Sequence, residues 1–147
     1  MRTILILSVV LWFALSGCKK KSDKDQQIIE NYIEDNHIDA IKTASGLWYR
    51  INPQGTGVSP RLDDDVSVFY KGYQTDGEVF DQTTENKPMT VALNRTLKGW
   101  QEGLQMLKEG GTILLLIPSD LGYGDRSMGN VPPNSVLIFE VTLDKVN

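Results

Sequence analysis

Within the last hundred residues one stretch, Leu97-Lys98-Gly99-Trp100-Gln101-Glu102-Gly103-Leu104-Gln105-Met106-Leu107, spaces its apolar residues as a helix does. Leu97, Trp100, Leu104 and Leu107 fall on one face. The segments around it alternate apolar and polar residues between turn signals, as strands do. One short helix among several strands leaves few options: it must lie across a sheet whose apolar face would otherwise meet water. Trp100 anchors that packing. As a residue type it serves either as a core plug or as the floor of an apolar binding cavity.

The strands follow from the same patterning. Leu47, Tyr49 and Ile51 alternate with Trp48 and Arg50, ending at Asn52-Pro53, and Gly55, Gly57 and Pro60 mark the next loop. Val66, Val68 and Tyr70 start a second strand that runs to Tyr73, where Thr75-Asp76-Gly77 is a hairpin turn. Val79-Phe80-Asp81, a polar loop from Gln82 to Lys87, and a short strand from Pro88 to Leu93 lead into the helix. Ile113 to Ile117 is continuously apolar and bounded by Pro118, which predicts a central strand covered on both faces. In the last strand Leu137, Phe139, Val141 and Leu143 share one face, with Glu140, Thr142 and Asp144 on the other. The fold class is therefore α+β, an antiparallel sheet with one short helix. Between the last two strands, Leu121-Gly122-Tyr123-Gly124, the loop Asp125 to Asn130 and Val131-Pro132-Pro133-Asn134 read as a fixed, exposed recognition edge.

The front of the chain has a different character. Met1-Arg2-Thr3 precedes an apolar run from Ile4 to Leu15, matching a signal-peptide core and too short to span a bilayer. Leu15-Ser16-Gly17-Cys18 resembles a bacterial lipobox, so residues 1–17 are expected to be a lipoprotein leader and Cys18 a lipidated anchor. Residues 19–27 are polar and read as a flexible tether, whose lysine triplet Lys19-Lys20-Lys21 is placed to meet anionic headgroups or simply solvent. Residues 28–42 lack Gly and Pro and carry a broken helical stripe, Ile28, Ile29, Tyr32, Ile33, Ile38 and Ile41. That stripe suits packing against the domain edge or against a second copy. Segment 18–45 is thus anchor, tether and helix, and 46–147 is the compact domain.

Composition removes several functions. A net charge of −4 disfavours nucleic acid as a partner. With Cys18 and His37 each the sole residue of its type, neither a disulfide framework nor a Cys/His metal cluster can form within the chain. His37 lies in an acidic, polar run and reads as a solvated side chain. No nucleophile elbow, phosphate-cradling loop or histidine-containing triad is present, and Asp63-Asp64-Asp65 reads as a solvated loop. What remains is an aromatic set, Tyr70, Phe80, Trp100, Tyr123 and Phe139, with Asp81 as its nearest charge.

Taken in order, Val68-Phe69-Tyr70-Lys71-Gly72, Phe80-Asp81, Leu97 to Leu104, Leu121-Gly122-Tyr123-Gly124, Val131 to Ser135 and Leu137 to Val141 resemble the FKBP-type peptidyl-prolyl cis-trans isomerases. The resemblance covers residues 46–147. It implies a strongly bent antiparallel sheet wrapped around the short helix, with a cavity between them; the helical stripe of residues 28–42 adds an N-terminal helical extension to that fold. By the same resemblance Trp100 is the cavity floor, and Tyr70, Phe80 and Phe139 are walls. Tyr123 would donate its hydroxyl to a substrate carbonyl, Leu97 its backbone N–H, and Val131 would close the rim. Asp81 would stand at the edge, orienting Tyr123, and Met89 would contact substrate where many members carry an aromatic. Glu85 stands near the usual position of an arginine, so the family's acidic-basic pair is expected to be missing.

The resemblance further implies catalysis without cofactor or metal, proline-containing polypeptides as substrates, and macrolides that bind this family as candidate ligands. With the lipobox, it places the chain in a bacterial cell envelope, anchored by lipid and assisting the folding of exported proteins. Lys19 after the cysteine favours the outer over the inner membrane. The rival reading is a tethered module that holds proline-containing segments with little turnover.

Overall fold

The computed structural model describes the backbone of residues 13–147 and side chains from Lys21 onward. Most of the expected leader, and the side chain of Cys18, lie outside the described residues. Helix α1 spans Phe13–Asp35. It is followed by strands β1 (Ile41–Lys42), β2 (Trp48–Ile51), β3 (Asp65–Tyr73), β4 (Val79–Gln82) and β5 (Met89–Ala92), helix α2 (Lys98–Leu104), and strands β6 (Thr112–Ile117) and β7 (Leu137–Val146). Every strand pairing is antiparallel, in the order β1-β2-β6-β7-β3-β4, with β5 also paired to β3.

β3 is the strand around which the sheet turns. One edge runs along β7, while the other is shared between β5 at Asp65 to Val68 and β4 at Lys71 to Tyr73. Register shifts at Ser67/Val68 and Gly72/Tyr73 add the local twist that lets one strand serve two partners. The Thr75-Asp76-Gly77 turn forms as predicted: Gly77, at φ +90°, donates its N–H to Gln74 O, and Gln74 donates to Glu78 O.

The alternation along β6 decides where the core sits. Ile113, Leu115 and Ile117 join Leu47, Val66, Val68, Trp100, Leu104, Phe139, Val141 and Leu143 under α2. Leu114 and Leu116 face the opposite way and pack with Val136, Ile138 and Ile29 of α1. A strand covered on both faces needs apolar residues at every position, and the unbroken run Ile113 to Ile117 supplies them. Gly99 and Gly103 let α2 lie close to β6: a Cβ on Gly99 would stand 2.8 Å from Ile117 Cγ2.

The helical segment 97–107 is shorter than its apolar stripe suggests. After Leu104 the chain tightens into i→i+3 turns, Met106 N–H to Gly103 O and Leu107 N–H to Leu104 O, yet Leu107 stays fully buried.

The polar stretch 19–27 is also a correction. It lies within α1 rather than forming a flexible tether, and the helix stops at Asp35 rather than Lys42. Asp25, Ile29, Tyr32 and Ile33 share one helical face. Ile29 alone is fully buried, an apolar contact of about 2 to 3 kcal/mol. The stripe thus meets the sheet's outer face within the same chain. Among the described residues, no helix is long and apolar enough to cross a membrane.

Candidate functional site

The α2 face of the sheet leaves an open cavity of about 250 Å³, lined by Tyr70, Asp81, Met89, Val91, Arg95, Thr96, Leu97, Trp100, Tyr123 and Phe139. Seven of these were singled out in the sequence; Val91, Arg95 and Thr96 were not. β5 and the 3₁₀ turn Leu93–Arg95 that follows it form that side of the cavity, and the pairing of β5 to β3 brings them there.

The aromatic residues form one edge-to-face chain. Trp100 meets Tyr70 at 5.1 Å between ring centroids and Phe139 at 5.2 Å, Phe139 meets Phe80 at 5.4 Å, and Phe80 meets Tyr123 at 6.3 Å. Such pairs contribute about 0.5–1.5 kcal/mol each beyond area burial, so the rings hold one another in place. Gly72 makes the arrangement possible. It sits on β3 between Asp81 of β4 and Phe139 of β7, and a Cβ there would stand 2.6 Å from the Phe139 ring and 2.9 Å from that of Phe80. A glycine inside a strand pattern signals such a close approach, and that signal was readable in the sequence. Trp100 is 4% exposed, and its indole Nε1 has no hydrogen-bond partner among the described residues.

Two expected site residues are placed differently. Val131 is buried in the core rather than at the rim; its N–H and C=O pair with Met128 and close the loop there. Phe80 stands behind the lining, buttressing Phe139 and Tyr123. Asp81 does stand at the edge, but its Oδ2 accepts a 2.6 Å hydrogen bond from the hydroxyl of Tyr70, not of Tyr123. The reason is strand geometry: β4 runs antiparallel beside the end of β3 that carries Tyr70, whereas Tyr123 arrives from a loop across the sheet.

Burial, then the Asp81 hydrogen bond and charge, push the Tyr70 phenol well above its ordinary range. Burial and the Asp81 charge raise Tyr123 as well. Both hydroxyls therefore remain protonated donors at neutral pH. Among the described residues no Lys, Arg or His nitrogen lies within ion-pair distance of Asp81.

Leu97 precedes α2 at φ −59° and ψ 146°, and its C=O accepts the N–H of Gln101. Its own N–H is bonded to no group among the described residues. The Gln101 side chain reaches back to Thr96 O at 2.8 Å and fixes this corner at the cavity wall. The site thus offers an apolar floor, an N–H with no partner among the described residues and a phenol hydroxyl. Among the described residues, no group of three His, Cys, Asp or Glu side chains is placed to hold a metal.

Residues 57–144 match the family model described as FKBP-type peptidyl-prolyl cis-trans isomerase. A probable FKBP-type peptidyl-prolyl cis-trans isomerase FkpA of Neisseria meningitidis is 44% identical over 121 residues, 80% of this chain and 44% of that one. The outer membrane protein MIP of Legionella longbeachae is 43% identical over 69% of this chain and 45% of its own length. The crystal structure of FkpA from Escherichia coli superposes with a TM-score of 0.76 at 34% identity, covering 91% of this chain and 64% of that one. This chain therefore spans less than half the length of these two curated relatives.

Proposed function

The chain belongs to the FKBP-type peptidyl-prolyl cis-trans isomerase family, and on that basis we propose that it accelerates cis-trans isomerisation of X–Pro bonds in polypeptides outside the cytoplasm, tethered to an envelope membrane through lipid on Cys18. The observation that carries the activity is the Trp100-floored cavity flanked by two donors that have no partner among the described residues, the Tyr123 hydroxyl and the Leu97 N–H.

The chemistry asks for no acid or base. Rotation about the peptide bond costs about 18–20 kcal/mol because amide resonance must be broken. The twisted amide has less charge separation than the planar one. An apolar cavity walled by Trp100, Phe139, Met89 and Val91 therefore destabilises the planar ground state more than the transition state. Tyr123 and Leu97 then hold the flanking carbonyls while the prolyl ring stays on the indole. Asp81 acts on the Tyr70 edge of this cavity, where its charge lies close to the rotating carbonyl.

The envelope location is supported by the lipobox-like Leu15-Ser16-Gly17-Cys18 and by the printed name of the Legionella relative. Substrates there would be exported proteins whose folding waits on prolyl bonds, which take tens of seconds unaided. Macrolides of the kind this family binds would compete for the same cavity. The test is a protease-coupled isomerisation assay on the polypeptide from Lys19 onward, which keeps the part of α1 that carries Asp25, Gln26 and Ile29. Acceleration of an X–Pro peptide supports the reading. Binding of that peptide without acceleration would instead assign a holding module.

A further inference from the structure

Ser119 opens the segment that carries Tyr123. Its carbonyl accepts the N–H groups of both glycines flanking that tyrosine, Gly122 at 3.1 Å and Gly124 at 2.7 Å. The two donors of Ser119, its own N–H and its hydroxyl, both go to Asp25 of α1, at 2.9 and 2.6 Å from Oδ2. Ser119 is 0% exposed and Asp25 3% exposed. A carboxylate so deeply buried is costly unless hydrogen bonds satisfy it, and here two converge on it from a single residue 94 positions away.

Asp25 is in turn fixed by its neighbours on the helix. Gln26 donates to Gly46 O and accepts the indole N–H of Trp48, both at 2.9 Å. One turn further on, Ile29 is sealed against Leu114, Leu116, Val136 and Ile138. α1 on the outer face of the sheet is thereby joined by side-chain bonds to a cavity wall on the inner face.

We propose that Asp25 is a positioning residue for the cavity: through Ser119 it holds the Gly122-Tyr123-Gly124 segment so that the Tyr123 hydroxyl meets the substrate carbonyl. A helix outside residues 57–144 then sets the affinity of the site for proline-containing peptides. The proposal rests on the assignment of Tyr123 as a carbonyl donor, and the experiment separates the two.

KM and kcat for an X–Pro peptide are measured on the polypeptide from Lys19 onward carrying Asp25→Ala, Asp25→Asn, Tyr123→Phe, and Asp25→Ala with Tyr123→Phe. Asp25→Ala is expected to raise KM ~3- to 10-fold with kcat within ~2-fold. Asp25→Asn keeps an oxygen that can accept both bonds and should recover most of that loss. Tyr123→Phe should raise KM alone, and adding Asp25→Ala should then change it no further. Hydrogen exchange at the Gly122 and Gly124 amides should quicken in Asp25→Ala while exchange in β6 and β7 does not. Equal KM losses in both backgrounds, or faster exchange throughout the sheet, would make Asp25 an anchor of the fold and overturn the proposal. Tyr123→Phe with the parent KM would remove the hydroxyl from the site, a failure read from that single variant, and the coupling through it would fall too.

Discussion

Replacing Asp81 by leucine removes the carboxylate at the cavity edge and with it the 2.6 Å bond from the Tyr70 hydroxyl. A hydrogen bond to a charged group contributes about 1.5–3 kcal/mol in general. Asp81 is exposed at the surface of β4, so solvent screening brings the expected effect just below that range, to about 1.4 kcal/mol, or tenfold in rate. In the proposed role, where the charge acts on the rotating carbonyl more than on the bound peptide, kcat/KM should fall at least ~10-fold while the Kd for a proline peptide stays within ~3-fold. Tyr70→Phe separates the two parts of that role, since it keeps the ring against Trp100 and removes only the hydroxyl. If Tyr70→Phe reproduces the loss, Asp81 works by holding the Tyr70 ring; if it has little effect, the charge itself is what matters. Trp100→Leu supplies the contrast, because losing the floor should weaken binding and rate together. The assay is protease-coupled isomerisation with calorimetric Kd on the same preparations. Equal losses of rate and affinity in Asp81→Leu would assign Asp81 to substrate binding or to the fold, and an unchanged rate would remove it from the site.

Four further outcomes are expected. Gly72→Ala should destabilise the chain by about 1–3 kcal/mol in denaturant melts and lower kcat/KM, because the added methyl stands against the Phe139 and Phe80 rings; a silent Gly72→Ala would show that the rings are free to shift. Turnover should be flat between about pH 6 and 8, because the cavity is lined by neither histidine nor cysteine and its phenols are raised above their ordinary value. The same shifts, with that of Tyr73, favour the folded chain below the ordinary phenol value, and stability should decline as pH rises from about 10 towards the folded-state values; a bell-shaped turnover profile with the coupling protease in excess would mean general acid-base catalysis. Cys18→Ser should release the protein from the membrane fraction, and retention of that variant through a high-salt wash would assign the anchor to another feature.

Strands β2 to β7, the α2 stripe and the two-sided burial of β6 were legible because each is written in local periodicity: Ile113 to Ile117 can be apolar throughout only if both faces are covered; β1 was not, since Ile41 also fitted the helical stripe of residues 28–42. The aromatic set was legible for a related reason, since five large rings with one nearby charge have few uses in so small a core. What lay beyond local reading were bonds made by polar side chains across the fold. Residues 19–27 hold no apolar residue and so looked like a tether, yet Asp25 and Gln26 dock the helix with hydrogen bonds to Ser119, Gly46 and Trp48. Likewise Asp81 could have faced either tyrosine, and the β3–β4 pairing decided for Tyr70. Hydrophobic burial leaves a periodic trace in sequence because every turn of helix or step of strand repeats its face. A single buried hydrogen bond has no period, and only the tertiary structure, by bringing its donor to its acceptor, decides where it forms.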